Sequence, residues 1–410
     1  MIDTQTTLGP PSATVQRIVK LAVEGLTPMF DTSRQLFCYK LKKTDRGLIQ
    51  EGISERYTMM TLLGLHRYEQ AGGISPIATE PVLNTLLADL SWIHDIGDLG
   101  VLLWLCGVVA PDRLAKLEKQ LPIANALSVY PAGKKGVTME LAWFLTGLSY
   151  WGLAFPNQLP QLEGLALATF DRLKKNQGER FFGHLCTSSS FKGLMRGRIG
   201  SFADQVYPIY GMTQFAQAFS HEEAGKRAMV CARGICDVQG PMGQWWWHYD
   251  SAGGQVVDGY PVFSVHQHAM APMTLFAIGE ATQQDFRPWI YKGLEWINSR
   301  NELGFDMEDA SARLVWRCIF RSQRSLGRYL NTALGRYSVP VQHDRTEDLK
   351  VLFECRPYEL GWLLYAFAGR TGQESRQFTN PDSRAEIRPS GAPRSCARQS
   401  EVQQSSSAAR

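Results

Sequence analysis

DQVYPIYGMTQ at 204–214 is echoed by DGYPVFSVHQ at 258–267. Each string runs from an acid to a Tyr-Pro pair, an aliphatic, an aromatic and, four residues later, a glutamine: Asp204, Tyr207, Pro208, Ile209, Tyr210 and Gln214, then Asp258, Tyr260, Pro261, Val262, Phe263 and Gln267. The prolines lie 53 residues apart (208 to 261), the length of a helix–turn–helix unit with its connections. Proline suits the first turn of a helix, where its missing N–H is no loss. Each string therefore reads as a helix start carrying polar and aromatic groups, and the chain as an array of helical hairpins.

Outward from these strings, helical periodicity dominates residues 14–369. Six segments read as inner helices, most of them apolar nearly all round, as a helix buried on every side requires: 54–68, 97–108, 137–152, 206–219, 261–280 and 356–369. Between them lie amphipathic stretches with charged faces: 14–24, 83–92, 112–124, 159–175, 222–238 and 283–300. Six inner and six outer helices predict an all-α fold, an (α/α)6 toroid of helical hairpins over residues 12–370. Two stretches break the rhythm, 180–202 and 301–340. Long insertions in a compact domain serve either as lids or as plain surface loops, and the second, 301–340, has room for a short hairpin or an irregular excursion. From 371 to 410 the chain is rich in Ser, Arg, Gln and Pro with almost no aliphatics, a composition that predicts a disordered C-terminal tail.

Composition narrows the function classes. The chain has 410 residues, 44% hydrophobic, 20% charged, with a net charge of +4. No basic stripe interleaved with aromatics occurs, which argues against a nucleic-acid partner. Eight cysteines are scattered without a CxxC pair; this predicts reduced thiols and a cytoplasmic protein rather than a disulfide framework. The longest apolar run, 99–110, is short of the ~20 residues that span a bilayer. Phosphate-loop, dinucleotide-fold and nucleophile-elbow signatures are missing, so no cofactor is expected. His266 and His268 diverge by about 200° on a helix and cannot ligate one metal from the same face, so no metal is expected either.

In a closed ring the inner helices point one set of ends at a common mouth. The six starts carry Glu55 with Arg56, Asp98, Glu140, Asp204 with Tyr207, Asp258 with Tyr260, and Arg356 with Tyr358 and Glu359. Acids at helix starts serve the macrodipole and capping. Pooled in one bowl, they also supply what acid–base chemistry needs, a carboxyl held protonated beside one that is ionised. The richest stretch, 239–272, adds Trp245, Trp246, Trp247, His248 and Tyr249 ahead of His266 and Gln267. Aromatic faces stack on sugar rings or on cations. Three consecutive tryptophans equally fill the gap between helix layers, and one of them is expected to reach the cavity. The candidate catalytic residues are Asp258, His266, Asp204, Glu140 and Tyr260. The candidate substrate contacts are Trp245, Trp246, Trp247, Tyr249, Tyr207, Arg56, Gln267 and Glu359.

Gln239, Gly243 and Trp245 resemble the QW motif of terpenoid cyclases, which closes an outer helix before an inner one. The stretch from Trp247 and Tyr249 through a Gly turn to Pro261, Phe263, Ser264 and Gln267 is similar to the toroidal domains of uronate epimerases, polysaccharide lyases and six-hairpin glycosidases. The second resemblance implies a hydrolase, lyase or epimerase acting on an oligosaccharide or polysaccharide. It implies a tyrosine or histidine moving the proton and Arg56 holding a sugar carboxylate through a bidentate pair. The first implies a toroid binding an isoprenoid; a toroid that binds without chemistry is the third reading.

Overall fold

The computed structural model describes residues 11–185, 197–322 and 346–370, all within the unit Met1–Gly372. The expected tail, 371–410, and parts of both insertions lie outside the described residues. Among the described residues no helix is long and apolar enough to cross a membrane.

Among the described residues, twelve helices carry the architecture. The outer ones are α1 (Pro11–Leu26), α3 (Thr79–Ala88), α5 (Leu114–Gln120), α7 (Leu159–Lys174), α9 (Glu222–Asp237) and α11 (Arg287–Trp296). The inner ones are α2 (Glu55–Gln70), α4 (Ile96–Val109), α6 (Thr138–Ala154), α8 (Ala203–Phe219), α10 (Ala271–Thr282) and α12 (Pro357–Phe367). The inner helices contact one another in the cyclic order α2, α4, α6, α8, α10, α12 and back to α2, so the ring is closed. The first outer helix, α1, packs on the last inner one, α12, which holds the chain ends of the ring together.

Glycines set how closely the inner helices approach. A Cβ on Gly64 of α2 would lie 2.0 Å from the Gly361 carbonyl oxygen of α12, and one on Gly361 would lie 2.6 Å from the Thr61 Cα. The obstructing atoms are backbone and cannot swing aside. Gly361→Val is therefore expected to cost at least the roughly 1–3 kcal/mol of ordinary overpacking, read as a lowered urea midpoint. An unchanged midpoint would contradict this helix contact.

The interior of the ring is filled, not open. Trp104 of α4 stacks on Trp362 of α12 at 5.2 Å, on Tyr210 of α8 at 5.1 Å and on Tyr150 of α6 at 5.7 Å. Trp362 donates through Nε1 to the Tyr207 hydroxyl at 3.0 Å, and Tyr207 meets Trp143 edge-on at 4.9 Å. Helices α4 and α12 are not ring neighbours, nor are α8 and α12, so these contacts cross the axis. An aromatic column runs from the helix starts to the helix ends.

Strands gather at the helix-start side. β1 (Leu36–Thr44) and β2 (Gly47–Ile53) form a hairpin that leads into α2. β3 (Ile199–Ser201) pairs with β4 (His248–Asp250), which pairs with β5 (Gln255–Asp258). β6 (Val262–Phe263) pairs with β7 (Cys318–Arg321), which pairs with β8 (Leu349–Leu352). β9 (Glu354–Cys355) adds to β1 and leads into α12. Within the second insertion, Glu308–Asp309 pairs with Leu314–Val315 as a short hairpin.

Two sequence expectations are corrected. The hairpin at 36–53 went unseen because its exposed strand alternates little: β2 is mostly solvent-facing. The two Tyr-Pro strings also differ in structure. Pro208 lies inside α8, one turn past the helix start, where it leaves the Asp204 carbonyl without its usual i+4 donor. Pro261 follows a cis peptide bond and precedes β6. Its helix begins only at Ser264 and passes into a π-helical turn, His266–Met270, because Val262 and Phe263 are claimed by pairing with Ile319 and Cys318.

Candidate active site

The starts of α2, α4, α6 and α8 converge on one acidic wall. Asp95 caps α4, its Oδ1 accepting from the Gly97 and Asp98 amides at 2.7 and 3.0 Å. Arg56 of α2 donates from Nε to Asp98 at 2.7 Å and from Nη2 to Asp95 at 2.8 Å, and its guanidinium stands 5.3 Å from the Trp143 ring centre. Nε and Nη2 of Arg56 are thus engaged by Asp98 and Asp95. Glu140, in the first turn of α6, lies against Gly97, where a Cβ would be 2.9 Å from Glu140 Cγ, 2.8 Å from the Trp143 ring and 2.9 Å from Asp95 Oδ1.

Asp204, in the first turn of α8, is buried. Its Oδ2 accepts from the Ser201 amide at 2.8 Å and the Ser201 hydroxyl at 2.9 Å, and lies 3.3 Å from His184 Nδ1. One backbone segment ties the two acids together. The Thr138 amide at the start of α6 donates to the His184 carbonyl at 2.9 Å, while the His184 ring meets Asp204. Glu140 Oε2 and Asp204 Oδ1 are both buried with no hydrogen-bond partner among the described residues. Two orphaned carboxylate oxygens at adjacent helix starts are costly in a folded protein unless a ligand or a proton satisfies them. Burial, then the Asp204 charge, push the Glu140 carboxyl up to about 7.

The opposite wall is basic and aromatic. Arg317 pairs with the buried Glu359, whose Oε2 also accepts from the Arg356 amide at 3.3 Å. Arg356 donates to the Tyr57 hydroxyl at 2.7 Å and lies 4.6 Å from the Tyr39 ring centre, while its buried Nε has no hydrogen-bond partner among the described residues. Arg317 stands 4.9 Å from the Phe263 ring, which Trp247 meets at 4.7 Å.

The remaining candidates divide. Tyr207 tops the aromatic column between Trp143 and Trp362. Of the three tryptophans, Trp247 reaches this wall, stacked on His266 at 6.0 Å. Trp246 donates to the Val238 carbonyl at the end of α9 at 2.8 Å. Trp245 is fully buried, with Nε1 against Gly293 of α11. Gln239 donates to the Trp289 carbonyl at 2.9 Å, and a Cβ on Gly243 would lie 2.1 Å from the Lys292 carbonyl. The stretch that resembles a QW motif thus staples consecutive outer helices. Tyr249 packs between Phe181 and Phe202 in the core. Gln267 is buried, accepting from the Trp245 amide at 3.2 Å and donating to the Phe263 carbonyl at 3.2 Å. As substrate contacts, Trp245, Trp246, Tyr249, Gln267 and Glu359 are corrected to packing and pairing roles.

The other three proposed catalytic residues have different surroundings. His266 is buried among Phe202, Phe263 and Trp247, and burial drives its imidazole down to about 3, so it is neutral near pH 7 and a weak base. Tyr260 donates to Glu302 at 2.7 Å, which also accepts from Trp296 at 2.9 Å and Gln244 at 3.0 Å; it faces the outer layer. Asp258 accepts from Arg321 at 3.1 Å and the Tyr260 amide at 3.2 Å. Among the described residues no cluster of His, Cys, Asp and Glu could hold a metal ion. Sequence reading missed Asp95, His184 and Trp143. Asp95 carries an N-cap signal before an apolar run; His184 sits in an irregular stretch without one.

No family model matches the chain, and no curated protein does. Solved structures do. A possible member of the GH105 family from Klebsiella pneumoniae superposes with a TM-score of 0.57 at 11% identity, covering 90% of this chain and 95% of that one. Cellobiose 2-epimerase from Bacillus thermoamylovorans gives 0.57 at 10% identity, covering 87% and 99%. An unsaturated glucuronyl hydrolase from Streptococcus agalactiae gives 0.55 at 11%, covering 89% and 93%. At this identity the likeness is one of fold. The closed ring of inner helices is that of the α/α toroids.

Proposed function

We propose that the chain is a carbohydrate-active toroid enzyme, a hydrolase, lyase or epimerase acting on an oligosaccharide or polysaccharide. The observation that carries this reading is the pair of buried, unpartnered carboxylate oxygens of Glu140 and Asp204 at adjacent inner-helix starts. Aromatic side chains pack at the same helix starts, Trp143 against Tyr207 and Trp247 against Phe263. Names of similarly folded proteins, a glucuronyl hydrolase and a cellobiose epimerase among them, support the substrate class.

In this reading Glu140 is the proton carrier. Its carboxyl, up at about 7, is half protonated near neutral pH, the condition under which an acid–base group is most effective. Burial and the Asp204 charge keep it there, and Asp204 is itself fixed by Ser201 and His184. Asp95 and Asp98 hold Arg56 against Trp143, which fixes the arrangement of the acidic wall. On the basic wall, the unpartnered Nε of Arg356 is placed to bond an anionic or hydroxyl group of the substrate.

The test is a screen of uronic-acid and neutral oligosaccharides, with prenyl diphosphates as the contrasting set, read by thermal stabilisation and product analysis. Turnover of a saccharide, with kcat/KM falling tenfold per pH unit above about pH 7 as Glu140 loses its proton, is the expected result if it acts as the acid. Stabilisation by the isoprenoids alone would overturn the reading.

A further inference from the structure

The other mouth of the ring, where the inner helices end, holds a cavity of about 180 Å³ lined by Tyr150, Tyr210, Tyr365, Gln214, Arg67 and Phe276 among others. Its floor is a triangle of phenols from α6, α8 and α12. The Tyr150 and Tyr210 oxygens are 2.7 Å apart, Tyr210 and Tyr365 2.7 Å, and Tyr150 and Tyr365 3.0 Å. Three contacts among three hydroxyls use all three protons. Each phenol oxygen has two lone pairs and accepts once within the triangle, so one acceptor position per oxygen remains. Trp104, stacked on Tyr210 and Tyr150 and edge-on to Tyr365, closes the cavity from below, so it is separate from the acidic and basic walls at the opposite mouth.

The lining also holds groups that the fold does not use. Gln214, 8% exposed, faces the cavity with an amide that makes no hydrogen bond among the described residues. Arg67 stands 5.3 Å from the Tyr365 ring centre and forms no ion pair or side-chain hydrogen bond among them. Arg370, by contrast, is engaged with Glu280 at 2.5 Å and the Ala366 carbonyl at 2.9 Å, with its guanidinium 4.1 Å from the Phe276 ring.

We infer that this mouth is a second binding site, for a neutral polyhydroxylated molecule about the size of one sugar ring. The free positions require a ligand that both donates and accepts. Its hydroxyls donate to the phenol oxygens and to the Gln214 carbonyl, and accept from the Gln214 amide and the Arg67 guanidinium. An oxyanion offers acceptors only and leaves the phenol lone pairs unmet. It is opposed as well by the negative ends of the inner-helix dipoles that terminate here. The volume, about six waters' worth, sets the size.

The experiment is saturation-transfer NMR and calorimetry on the full chain with D-glucose, D-galactose and D-mannose, with sulfate and acetate as oxyanion controls. Glu140→Gln serves as the background, so that the opposite mouth turns nothing over. At least one sugar is expected to bind, more tightly than either anion. Gln214→Leu and Tyr365→Phe are each expected to weaken that binding at least tenfold, with melting temperatures showing both variants folded. Arg67→Ala, an exposed position that the fold does not depend on, is expected to weaken it several-fold. The inference is overturned if none of the three sugars binds, if an oxyanion binds more tightly than all of them, or if binding is unchanged in Gln214→Leu and Arg67→Ala.

Discussion

Glu140→Gln is expected to abolish turnover and at the same time to stabilise the protein above neutral pH. The amide keeps the shape of the side chain and removes the transferable proton. A positioned acid or base contributes typically 10²–10⁴-fold, so kcat should fall by at least about two orders of magnitude with little change in KM. The stability effect has the opposite sign. Burial first, and the Asp204 charge second, raise the Glu140 carboxyl from the ordinary 4.5 to about 7. The folded chain thus holds this proton more tightly than the unfolded chain does. The contribution to stability is complete below about pH 4.5 and is lost as pH rises through about 7, where the folded carboxyl must ionise in a poorly hydrated site. The gap between 4.5 and about 7 corresponds to roughly 3 kcal/mol at about 1.4 kcal/mol per pH unit. The variant's neutral amide has no charge to desolvate. Urea unfolding of the two proteins at pH 5 and pH 8 should therefore show a difference that grows with pH in favour of the variant. A less stable variant at pH 8 would place Glu140 among structural residues.

Glu359→Ala is expected to act on folding instead. Glu359 is buried, paired with Arg317 and bonded to the amide that begins α12. Desolvation raises its carboxyl, and the charges of Arg317 and then Arg356 oppose that rise. Removing one member of a buried pair leaves the other charge uncompensated, a loss of about 3–5 kcal/mol. α12 is also the helix that closes the ring onto α2. The urea midpoint should fall at both pH 5 and pH 8, which separates this variant from Glu140→Gln. A loss of activity with an unchanged midpoint would return Glu359 to the substrate contacts.

The ring of helices was legible because burial on all sides leaves an unmistakable pattern: α4 and α6 are apolar around their whole circumference. The acids of the site were legible for a similar reason, since Asp98, Glu140 and Asp204 stand in first turns where charge is favoured. What those acids meet was not. Arg56 has a long side chain whose partners, Asp95 and Asp98, lie at the start of another helix some forty residues on, and nothing local distinguishes an arginine that holds protein carboxylates from one that waits for a substrate. His266 looked like a proton carrier by position, whereas the ring is kept neutral by Phe202, Phe263 and Trp247, which only the folded chain assembles around it. Trp245, Trp246 and Trp247 are equivalent in sequence and part company because the loop turns each toward a different layer. The phenol triangle had no sequence signal, as Tyr150, Tyr210 and Tyr365 come from three separate helices.

The proposed chemistry turns on one carboxyl sharing a buried site with another. Carbon-13 NMR of glutamate-labelled protein, with Glu140→Gln to assign the resonance, measures its titration without knowledge of the substrate. The wild-type side chain is expected to titrate near 7. In Asp204→Asn the midpoint is expected to move down, with burial alone still holding it above 4.5. A Glu140 resonance that titrates near 4.5 in the wild type, unmoved by Asp204→Asn, would contradict this pairing.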